Sequence, residues 1–84
     1  MKTTVKLEKA IETITRIEKD DITLSEKNYY IRKCLIDLLD KLTVFDRINI
    51  NSFCIELFNE INENEFGEIC FRLKSYLNSI RRWY

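Results

Sequence analysis

Apolar residues recur along most of this chain at intervals of three and four, the spacing that lays one stripe down an α-helix. Between Thr3 and Lys19 the stripe is Leu7, Ala10, Ile11, Ile14 and Ile17. Polar residues fill the opposite face, where Glu12 stands four before Arg16 in the favourable acid-to-base order. Asp20 to Thr23 form a connection. A second stripe, Ile31, Cys34, Leu35, Leu38 and Leu42, predicts a helix over 24–42. Its start is marked by Thr23 and Glu26, three residues apart, which is the spacing of a capping box.

The stretch from Thr43 to Asn51 interrupts the pattern. It holds Val44, Phe45, Ile48 and Ile50, so it reads as a break packed onto the core and not as a loose linker. Asn51 then reads as the cap of a short third helix over 52–61, with Ile50 and Ile55 at hydrophobic-staple positions. Cys54, Leu57, Phe58 and Ile61 would be the core face of that helix. Asn62 and Glu65 make another capping pair. Phe66, Ile69, Cys70, Leu73, Leu77 and Ile80 then stripe a fourth helix over 65–82. Amphipathic helices joined by short turns pack as antiparallel neighbours around one core. The expectation is an all-α, small antiparallel bundle of four helices (3–19, 24–42, 52–61 and 65–82) with the third short, forming a single domain over 1–84.

Composition sharpens this picture mainly by exclusion. The 84 residues include no histidine or proline and one glycine, which suits a chain that is helical nearly throughout. Without histidine the usual general base near neutral pH is missing, and Ser–His–Asp and Cys–His catalysis are excluded. A bundle this small also has little room for a cleft beside its core, so the expectation is a protein that is not an enzyme and has no catalytic residues. Cys34, Cys54 and Cys70 are odd in number, 20 and 16 residues apart, and all lie on apolar stripes. They read as reduced core thiols, with no metal site and no cofactor. No apolar run approaches the roughly 18 residues of a membrane span, and the N-terminus lacks the apolar segment of a signal peptide. The expected location is cytoplasmic, with no membrane partner.

Ile, Lys and Asn number 12, 8 and 7 against a single Ala, although Ala is the best helix former. Their AT-rich codons point to an AT-rich genome, such as that of a low-GC bacterium, a phage or a plasmid.

Basic and acidic residues balance at 14 each, so no net charge draws the chain to nucleic acid. The charges are nevertheless segregated. Glu56, Glu60, Glu63, Glu65 and Glu68 occupy a stretch without bases, and Arg72, Lys74, Arg81 and Arg82 follow without acids. Two readings stand: the regions neutralise each other across neighbouring helices, or the acidic stretch is a surface for a protein partner. Tyr29 and Ile36 lie well off the stripe of the second helix, and Phe71 lies off that of the fourth. Apolar groups behind a core stripe need another neighbour, either within the chain or in a partner or second copy. The tail Arg81-Arg82-Trp83-Tyr84 carries the residue types enriched at interface hot spots. There Trp83 reads as closing the core end, and Arg81 and Tyr84 as exposed.

Taken together these features suggest a non-catalytic protein-binding module. By analogy of size and class it would be a small inhibitor, an immunity or anti-defence protein of phage or mobile-element type that blocks a protein target. One alternative is a small DNA-binding regulator using the bases of the fourth helix, although the long Thr43–Asn51 break argues against a helix-turn-helix. Another is a structural subunit that homodimerises through Tyr29, Ile36 and Phe71.

Overall fold

A computed structural model describes residues 2–59 and 61–84. Four helices account for nearly all of it: α1 (Thr3–Lys19), α2 (Leu24–Leu38), α3 (Val44–Phe58) and α4 (Glu63–Arg81). Among the described residues there is no strand, and no helix is long and apolar enough to cross a membrane. The all-α four-helix bundle expected from the stripes is the architecture observed.

Three helices begin at side-chain caps that the sequence can be seen to encode. The Thr23 hydroxyl accepts from the Glu26 N–H at 3.1 Å and donates to the Glu26 carboxylate at 3.0 Å. Asn62 accepts from the Glu65 N–H at 3.0 Å. Thr43 accepts from the Asp46 N–H at 3.2 Å. Each bond satisfies a donor that the first helical turn leaves without an intrahelical partner.

The Thr43 cap overturns the expected third helix. The Thr43–Asn51 stretch is helical from Val44, so Asn51 is an interior residue of α3 and no cap. At 15 residues α3 matches α2 in length and is not short. It also ends sooner than expected, at Phe58, and Ile61 reaches the core from outside any helix. Before it, α2 stops at Leu38, and a 3-10 turn over Leu39–Lys41 tightens the chain toward Thr43. The connection between α2 and α3 is therefore short, and the long break disappears.

Consecutive helices run antiparallel, and the last returns to the first. Arg81 near the end of α4 pairs with Glu8 near the start of α1 at 3.6 Å, and Lys74 pairs with Glu18 at 2.5 Å. The stripes meet inside this ring. Leu7, Ile14, Ile31, Leu35, Ile50, Leu57, Leu73 and Leu77 are essentially sealed from solvent. Burying eight such side chains is the main source of stability, at about 1.5–3 kcal/mol each. The ring is uneven: α1 packs broadly against α2 and α4, whereas α3 meets α2 and α4 over smaller areas.

Candidate functional site

That lighter attachment leaves one side of α3 open. Ile50, Cys54 and Leu57 face the core, yet the other side of the same helix is also apolar. Val44, Phe45, Ile48, Ile55 and Phe58 are each between 59% and 72% exposed. A helix that is apolar all round is normally covered all round, and a contiguous exposed apolar face marks an interaction surface. The expectation that Val44, Phe45 and Ile48 pack onto the core is thus corrected. Helical periodicity lets Ile50 point inward and turns its three neighbours outward. Phe58 and Ile55, read as core-facing and as a staple, lie on the same outer side.

The face extends toward α2. Ile36, half exposed, lines a groove with Cys54, Ile55 and Phe58, and the Arg32 guanidinium lies over the Phe58 ring at 4.3 Å from its centroid. That contact is a cation–π pair of the exposed type. Tyr29 borders a neighbouring groove with Arg32 and Phe58, its ring edge-on to Tyr30. Ile36 and Tyr29 therefore border the α3 face, whereas Phe71 stands exposed on α4 and lines neither groove.

At the N-terminal end of α3 the face adjoins a polar cluster. Asp46, the one buried charged residue among the described residues, accepts from the hydroxyls of Tyr76 at 2.5 Å, Tyr84 at 2.5 Å and Thr43 at 2.9 Å. Asn49 donates to the Tyr76 oxygen and the Thr43 N–H donates to the Tyr84 oxygen. Burial pushes the Asp46 carboxyl up, but the bonds from Tyr76, Tyr84 and Thr43 outweigh it and hold the group below its ordinary value. Burial, reinforced by the bond to Asp46, raises Tyr76 to about 12. Both carboxylate oxygens are engaged by donors, so the cluster acts as a clasp between α3, α4 and the tail.

The clasp engages the Tyr84 hydroxyl and leaves Trp83 outside. Tyr84 is 40% exposed, as expected, with its hydroxyl on Asp46, while Trp83, expected to close the core end, is 84% exposed. The reason is local. Ile80 is the last buried residue of α4, and the bond from Trp83 N–H to the Ile80 carbonyl turns the chain so that Trp83 points outward and Tyr84 folds back. Trp83 and Phe45 both line the shallow hollow beside the clasp, which carries the α3 face round to the tail.

The charged candidates are less concentrated than their sequence positions suggest. Glu56 is paired with Arg72 at 3.2 Å, Arg72 also lies over the Phe53 ring, and Glu60 lies outside the described residues. Glu63, Glu65 and Glu68 are exposed along the start of α4. Lys74 and Arg81 are engaged with α1, and Arg82 is exposed. Neutralisation across helices thus accounts for Glu56 with Arg72, while two other bases of α4 turn to α1.

Cys54 and Cys70 are buried and Cys34 is half-buried. Burial raises all three thiols, Cys70 to about 12, where Glu18 adds to the rise. Among the described residues no group of cysteines and carboxylates is arranged to hold a metal. No family model matches this chain, and neither curated proteins nor solved structures gave a match.

Proposed function

We propose that this chain is a non-catalytic protein-binding module whose binding surface is the outer face of α3. The observation that carries this is the row of five large apolar side chains left exposed on a helix whose other side is in the core. Interfaces are recognised by an apolar centre with a polar rim, and Asn51, Ser52 and Asn59 supply polar groups within and beside this row. A small inhibitor or immunity protein is one form such a module takes, and its target would then be covered by α3 in place of the acidic stretch. The DNA-binding alternative has less support. The connection before α3 is short, but the outer face of α3 carries a single base, Arg47, and phosphate binding draws on several.

Site-specific photocrosslinking in producing cells tests the proposal. A benzophenone side chain at Ile55 is expected to give a discrete protein adduct, and one at Glu12 on the outer side of α1 none. Absence of any adduct from positions 48, 55 and 58 ends this reading.

A further inference from the structure

Two apolar faces on one helix need two neighbours, and the bundle supplies only one. We infer that the outer face of α3 pairs with the same face of a second copy of this chain, the two helices antiparallel about a two-fold axis at Asn51. This rests on the protein-binding reading and names its partner.

Spacing is the first support. Val44, Ile48, Asn51, Ile55 and Phe58 succeed one another at intervals of four, three, four and three, and all are exposed. That alternation is the seam by which one helix packs along another in a coiled coil. The core-facing side of α3, with Ile50, Cys54 and Leu57, is a separate strip.

Symmetry is the second. A two-fold interface must be self-complementary, each residue meeting one that meets it in return. Turning the seam about Asn51 sets Ile48 of one copy level with Ile55 of the other, to within one residue's rise of about 1.5 Å. Val44, the smallest apolar group of the seam, falls against Phe58, the largest, at both ends. Asn51 meets its own copy on the axis, where each amide can donate to and accept from the other. A lone Asn in an apolar seam fixes register and pairing.

Area agrees with a second copy. Taking about 150–250 Å² per aromatic side chain and somewhat less per aliphatic one, the four apolar residues of the seam, each about two-thirds exposed, present on the order of 450 Å². Ile36 and the small polar groups between them bring this toward the ~800 Å² per partner of a standard interface. Among the described residues of α3 the only charge on this outer face is Arg47, at its edge, with its Nε donating to the Leu42 carbonyl at 3.1 Å, and Arg32 of α2 lies over Phe58.

Light scattering on the purified full chain, at a concentration well above the micromolar Kd of the weaker interfaces of this size, decides the question. The expected mass is twice the chain's 10.2 kDa. Ile55→Asp is expected to return it to the monomer with its helical circular dichroism intact, since the position is exposed. Asn51→Asp sets two carboxylates face to face and is expected to weaken the pair by more than ~10-fold at neutral pH, each tenfold being about 1.4 kcal/mol. Should Ile55→Asp unfold, Asn51→Asp, at a position already polar, carries the test. A monomeric wild type, or a dimer that survives both Ile48→Asp and Ile55→Asp, overturns the inference. A monomer whose Ile55 crosslinks to a different protein in cells overturns self-pairing and leaves the binding face standing; a monomer with no adduct overturns both.

Discussion

Asp46 is the residue on which most of the polar organisation of the molecule converges. Three hydroxyl donors from three segments meet its carboxylate, so replacing it removes charge-assisted bonds and leaves Tyr76 with a weaker acceptor in a half-buried setting. Asp46→Asn is expected to lower stability by about 2–3 kcal/mol at neutral pH, read from urea unfolding; a midpoint equal to wild type would show that the clasp is ornamental. Its pH dependence has two limbs. The folded carboxyl sits below its ordinary value, so its contribution is complete above about pH 4 and is lost as the pH falls through the folded value. Tyr76 is raised to about 12 from 10, so its contribution is complete below pH 10 and fades between pH 10 and 12. In Asp46→Asn the alkaline limb should shrink without vanishing, because burial is the larger cause of the Tyr76 shift.

At the scale of the element, helices differ in how openly they declare themselves. α1, α2 and α4 each have one dominant apolar stripe, which revealed them despite exposed Ile36 and Phe71, and all six expected core residues of α4 are buried. α3 has two apolar faces, which together erase the periodicity that a stripe depends on. Its start was nonetheless written in Thr43 and Asp46, a capping pair with Asp in the usual Glu position. Its outer seam was written in the four-three spacing from Val44 to Phe58. The Asp46 clasp was not legible, since Tyr76 and Tyr84 lie 30 and 38 residues away and only the packing of α4 on α3 brings them in. Gly67 offers a test of element stability free of tertiary effects. It sits within α4, where an added Cβ meets nothing within 4 Å. Gly67→Ala is expected to stabilise the fold by about 0.5–1 kcal/mol through helix propensity and a less flexible unfolded chain, measured as a higher urea midpoint. An unchanged or lower midpoint would mean that α4 starts later than Glu63.

For the whole molecule, size sets the margin. A chain of 84 residues buries only about 60–65% of its unfolded surface, so stability gained between copies is a large share of the total. Self-pairing through α3 therefore predicts a melting temperature that rises with protein concentration, as for any equilibrium in which association favours the folded state. Calorimetry over a hundredfold range of concentration should show that rise in the wild type and a flat response in Ile55→Asp. The same rise in Ile55→Asp would place the association elsewhere on the surface.

The closure of α4 onto α1 has a consequence for how the bundle is made. A ribosome adds about 5–20 residues per second, and domains ordinarily fold as units as they emerge. Here α1 and α2 can fold against each other early, but the flank of α1 that α4 covers stays bare until Leu73, Leu77 and Ile80 have left the exit tunnel. Until α4 is made, the nascent chain thus carries an unfinished apolar stripe. The core is complete only once α4 has packed onto α1.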